Sequence, residues 1–91
     1  MKYQDRTRTI GAWLQEELKR YDVPANHTPD RARQEMDAMV EDINSEIPSN
    51  VQQSSLDHIL SKMSQDIRKN TLSRSWPTIY TLTKAAQKCS E

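Results

Sequence analysis

Apolar residues recur at steps of three and four in four separate stretches of this chain, and no stretch alternates convincingly at a step of two. A period near 3.6 lines one face of an α-helix and a period of two lines one face of a strand, so the pattern points to an all-α fold. Ile10, Trp13, Leu14, Leu18 and Tyr21 make the first stripe. The expected helix runs from about Thr9 to Tyr21, with Thr9 as cap and Gly11 in the first turn, where its cost of about 1 kcal/mol does least harm. Pro24 then breaks the pattern within a loop over 22–28. Thr28-Pro29-Asp30 is the clearest local signal: a hydroxyl to cap, a proline at the first helical position, and a carboxylate facing the positive end of the dipole. Ala32, Met36, Met39, Val40, Ile43 and Ile47 continue that helix to Ser45 or Glu46, since Pro48 disfavours helical geometry at Ile47. Leu56, Ile59, Leu60, Met63 and Ile67 define a third helix, capped by Ser54 or Ser55 and ending near Asn70. After a polar link over 71–75, a fourth opens with Thr78 as cap or Pro77 at its first position, and Ile79, Leu82, Ala86 and Cys89 share its face.

A chain of 91 residues supports one core, so a single domain over 1–91 is expected, a small bundle of about four helices. Residues 1–7 are polar and carry no periodic apolar positions, which marks them as a flexible arm. Only 34% of residues are hydrophobic and the mean hydropathy is -0.95, so the core is expected to be thin and a homodimer is one way to complete it. Apolar runs of two or three residues cannot span a bilayer, and the first residues lack a signal peptide's apolar segment, so a cytoplasmic protein is expected. Cys89, the single cysteine, excludes an internal disulfide and a multi-cysteine zinc site.

Candidate chemistry is sparse. His27 lies in a loop and His58 near a helix start, with no triad spacing to a nucleophile. Asp57 and His58 are adjacent and so project about 100° apart on a helix, which does not make a dyad. Glu35, Asp37, Glu41, Asp42 and Glu46 share the second helix, but the Glu-x-x-His pair of a di-metal bundle is missing. No phosphate loop, HExxH or EF-hand pattern occurs. A non-enzyme without cofactor or metal is therefore expected, working through a protein partner.

Charge indicates where that partner binds. The formal net charge is zero, but residues 1–20 carry +2, residues 21–60 carry -6 and residues 61–91 carry +4. The acidic second helix, through Glu41, Asp42 and Glu46, can occupy a partner's basic groove. The basic last third, with Arg68, Lys69 and Arg74 beside Trp76, is the other candidate contact, and its interleaved Tyr80 keeps nucleic acid as an alternative partner. Met36, Met39 and Met63 fall on the apolar stripes as core fillers or adaptable contacts. Trp13 and Trp76 each sit at or beside a helix start, where an indole can serve core and surface together.

The order over residues 56–86, an amphipathic helix ending in basic residues, a polar link, then Trp76-Pro77-Thr78-Ile79 opening another helix, resembles the helical domain of phage helicase loaders. There an aromatic-Pro-Thr-apolar run starts a late helix. The resemblance implies a non-enzymatic replication adaptor that binds a helicase, with Trp76, Pro77 and Thr78 organising the helix junction. The family's partner-binding segment has no counterpart here, so no binding residue follows from it. A phage-encoded inhibitor of a host complex, acting through the acidic helix, is the rival expectation. A small DNA-binding protein using the basic third is the other.

Overall fold

In a computed structural model, which describes residues 3–70 and 74–90, the chain forms α1 (Tyr3–Leu18), α2 (Pro29–Glu46), α3 (Gln53–Asn70) and α4 (Ile79–Ser90). Each helix turns its stripe inward. Ile10, Leu14 and Leu18 of α1 meet Met39, Val40 and Ile43 of α2, with Leu56, Leu60, Met63 and Ile67 of α3 and Leu82, Ala85 and Ala86 of α4 completing one core. Around it, α2 packs on α1 and α4, and α3 packs on α4 and α1. The consecutive helices α2 and α3 are therefore diagonal neighbours, joined over the end of the bundle by residues 47–52. Six residues reach about 20 Å, enough for that crossing.

The four stripes cover one another, and the large hydrophobics exposed among the described residues are Val23 and Tyr80 alone.

Two helix starts, those of α1 and α3, differ from expectation. Helix α1 begins at Tyr3, not Thr9, so residues 3–7 are helical and not a flexible arm; residues 1 and 2 lie outside the described residues. Thr9 is no cap, its hydroxyl donating instead to the Asp5 carbonyl one turn back, and both Gly11 and Trp13 fall mid-helix. The cause is Arg6, which continues the inward row Ile10, Leu14, Leu18 at a step of four yet is polar, and so hides the stripe's first position. Helix α1 also ends earlier, at Leu18, where Arg20 and Tyr21 donate back to the Glu17 and Leu18 carbonyls. Helix α3 starts at Gln53, with the Leu56 N–H bonded to the Gln52 carbonyl; Ser54 and Ser55 lie inside its first turn and cap nothing. In α4 the choice falls on Thr78, and Pro77 lies ahead of the helix.

Two buried charges stitch the helices together. Arg6, 5% exposed, reaches from α1 to the C-terminal end of α2. It donates to the Asn44 carbonyl at 2.8 Å, to the Asn44 side-chain oxygen and to the Ile47 and Pro48 carbonyls. The Asn44 carbonyl is among the acceptors that a helix end leaves without intrahelical partners, and Ile47 and Pro48 follow directly after that end. Burial pulls the guanidinium below its ordinary pKa, yet from a value so high that it stays charged. Glu17, 4% exposed, accepts from Arg68 of α3 at 3.3 Å through both oxygens, with Arg20 at 3.7 Å. Trp13 adds a second tie between α1 and α3, its indole N–H donating to the Ser64 hydroxyl at 2.8 Å.

Candidate functional site

Two connectors meet on one side of the bundle. The Asp22 N–H donates to the Arg74 carbonyl at 2.7 Å, and Asp22 and Ser75 form an isolated parallel bridge. The loop after α1 and the segment before α4 thus run side by side. Trp76 follows at once, held extended by the proline after it, while Pro77 is buried. Thr78 then caps α4, its hydroxyl accepting from the Thr81 N–H at 3.2 Å. Thr28 does the same for α2, accepting from the Arg31 N–H at 3.2 Å with Pro29 in the first turn.

Trp76 is half-buried at the centre of this side, and three shallow depressions share it. One, about 490 Å³, runs over His27, Arg31, Met39, Ile79 and Tyr80. A second, about 350 Å³, runs over Leu18, Tyr21, Val23, Arg33 and Met36. The third, also about 350 Å³, includes Asp22, Val23 and Arg74. Val23 is 52% exposed and Tyr80 70% exposed, and they flank the indole from different depressions. Lys84 places its ammonium 5.5 Å from the centre of the Tyr80 ring, a cation–π contact. His27 meets the indole edge-on, with ring centroids 5.6 Å apart. The Trp76 Nε1 and His27 Nδ1 atoms are buried with no hydrogen-bond partner among the described residues. Such orphans are uncommon in a folded interior and cost stability.

The residues singled out in the sequence divide into three places. Trp76 and Arg74 come together, as neighbours along one depression. Glu41, Asp42 and Glu46 lie toward the other end of α2, with Glu46 about 20 Å along the helix from Arg31 at 1.5 Å per residue. Glu41 is exposed, whereas Asp42 and Glu46 are half-buried. Glu46 borders a separate depression of about 550 Å³ with Arg6, Asn44 and Pro48, but Arg6 there already serves four acceptors. Arg68 and Lys69 are exposed at the end of α3, Arg68 spending its guanidinium on Glu17; neither borders the Trp76 depressions.

Sequence reasoning did not mark Val23, His27, Arg31 or Arg33 as part of this site, and took Tyr80 only as an aromatic within a basic stretch. Signals for two of them exist. Val23 is an aliphatic β-branched residue in a loop, and Tyr80 lies off the Ile79, Leu82, Ala86 stripe at the start of α4. His27 and the two arginines carry no local signal, because their place depends on the pairing of connectors some fifty residues apart.

Reactive chemistry is not gathered here. His27 faces an aromatic ring, and His58 is exposed on α3. The Cys89 thiol, 3.7 Å from an Asp66 carboxylate oxygen, is pushed to a higher pKa by burial and by that negative charge, away from the thiolate a nucleophile needs. Among the described residues, no group of three His, Cys, Asp or Glu is placed to hold a metal ion. Among the described residues, no helix is long and apolar enough to cross a membrane. In comparison with known proteins, the chain matches no family model, no curated sequence and no solved structure.

Proposed function

We propose that this chain is a non-catalytic module that binds another protein through the face centred on Trp76, an adaptor of the helicase-loader kind. The observation that carries the reading is the placement of exposed apolar surface. Among the described residues the two large hydrophobics left outside the core, Val23 and Tyr80, both flank the half-buried Trp76. Scattered exposed apolar side chains need no explanation, but a contiguous group around a tryptophan is where contact energy concentrates. Met36 and Met39 lie beneath, on either side, with thioethers that conform to a partner's shape. The helicase-loader form of the reading draws support from the junction itself, in which buried Pro77 and capping Thr78 start α4 and leave Trp76 half-buried between three depressions.

The inhibitor alternative, through Glu41, Asp42 and Glu46, has less beneath it, since two of those carboxylates are half-buried and the cation of Arg6 sits at the same helix end. Capture on immobilised protein with a purified hexameric replicative helicase tests the proposal. Wild type should retain the helicase, and Trp76→Ala should weaken retention by roughly 100-fold, the scale of a central aromatic anchor. Val23→Ser and Tyr80→Ala, at exposed positions, should weaken it with the helical circular dichroism unchanged. No retention by wild type overturns the adaptor reading, and retention indifferent to all three substitutions overturns the face.

A further inference from the structure

Charge around Trp76 is not balanced. Arg31, Arg33 and Arg74 border its depressions, all three are exposed, and their guanidinium groups enter no ion pair among the described residues. By contrast Lys19, on the same rim, is held by Glu16 at 2.9 Å, and Arg6, Arg20 and Arg68 are all engaged elsewhere. Lys84 adds a fourth cation over Tyr80. Two helices also begin here, because the largest of the three depressions is bordered by Arg31 of α2 and by Thr78, the cap of α4. Helix N-termini carry partial positive charge. Asp30 answers it in α2, whereas the first turn of α4 holds no acidic residue.

We infer that the segment a partner seats on this face is an acidic peptide, with one or two large apolar side chains entering the depressions beside Trp76 and flanking Asp or Glu side chains meeting Arg31, Arg33 and Arg74. The inference rests on reading the Trp76 face as the contact surface. Planar guanidinium groups suit carboxylates, which they bind with two parallel hydrogen bonds. Phosphate has the same charge, but a nucleic acid fits this face less well. Asp22 and Glu35 border the same depressions and would repel a continuous phosphate backbone. The most exposed ring, Tyr80, has a lysine over its face where a base would stack.

Selection from a displayed library of random short peptides tests this on the full chain, with a parallel selection on Trp76→Ala. Peptides retained by wild type and lost on Trp76→Ala should be rich in Asp and Glu around a large apolar residue. A synthetic peptide carrying the enriched sequence should shift the indole N–H resonance of Trp76 and leave that of Trp13, tied to Ser64 on α3, in place. The triple variant Arg31→Gln, Arg33→Gln, Arg74→Gln alters only exposed side chains and should bind that peptide roughly tenfold more weakly, the sum of three modest surface pairs. Trp76-dependent peptides with no acidic bias, or a triple variant that binds undiminished, overturn the acidic-partner inference and leave the contact face standing. No Trp76-dependent peptide at all removes the face and the inference together. A single-stranded oligonucleotide that moves the Trp76 resonance at moderate salt, where the acidic peptide does not, overturns it in favour of nucleic acid.

Discussion

Helix α2 ends on Asp42 and Glu46 with no cation in its last turn, so its negative dipole end and its free carbonyls both need an answer from outside the helix. Arg6 supplies it from 38 positions away. The guanidinium is suited to the task because its donors fan out in one plane and reach several acceptors at once. Its removal leaves buried carbonyls without donors, and that desolvation cost is the larger part of the effect. Arg6→Ala should therefore lower stability by about 3 kcal/mol in urea denaturation, near the value for breaking a buried charged contact. Arg6→Lys should recover little of this, since an ammonium cannot span the same acceptors. A loss well under 1 kcal/mol for Arg6→Ala would show that water satisfies the helix end instead. Glu17 is the lesser partner in this respect, because the Arg68 that holds it is half exposed and pairs open to solvent contribute little.

At the scale of elements, α1 is longer than its apolar spacing indicates, and this changes the meaning of Gly11. In a helix starting at Thr9 the glycine would sit in the frayed first turn. In α1 as it stands, from Tyr3 to Leu18, it is interior and incurs the backbone entropy cost of a residue without a Cβ. A Cβ built there would lie 3.9 Å from a Val40 methyl, ordinary contact distance, and the residue does not need a left-handed conformation. Gly11→Ala should therefore raise stability by about 1 kcal/mol, seen as a higher thermal midpoint. A lower midpoint would mean that the α1–α2 contact is too close for a methyl group. The capped starts of α2 and α4 follow the same local logic, with Thr28 and Thr78 each closing a first turn.

For the whole molecule, the decisive feature is that two connectors, and not two helices, build the candidate site. The loop after α1 and the segment before α4 are joined through Asp22, Arg74 and Ser75, which brings Trp76 between the start of α2 and the end of α1. Asp22→Pro removes the N–H that donates to Arg74 at an exposed position. It should cost about 1 kcal/mol, the net worth of one such bond. The Trp76 indole resonance should move with it and the Trp13 resonance should stay. An unmoved Trp76 would show that Pro77 and the core hold the indole without help from the loop.

The sequence by itself determined the helices and their order. Steps of three and four, Thr-Pro at the start of α2, Thr78 before α4 and the prolines at 24, 48 and 77 are signals that act within a turn or two, and they do not depend on what lies across the bundle. It also marked Trp76 and Arg74, which are neighbours in the chain as well as in the fold. Only the tertiary structure decided that Arg6 and Glu17 point inward, since a polar residue on an apolar face shows its role only once the acceptor or cation it meets, 38 or 51 positions away, is in place. The same is true of the charged face around Trp76. Arg31 and Arg33 count as part of an acidic segment when charge is summed along the chain, and become unpaired cations beside an exposed aromatic cluster when α2 and α4 begin at the same end. Local spacing fixes which face of a helix is buried; which charges then stand together is set by contacts between segments far apart in sequence.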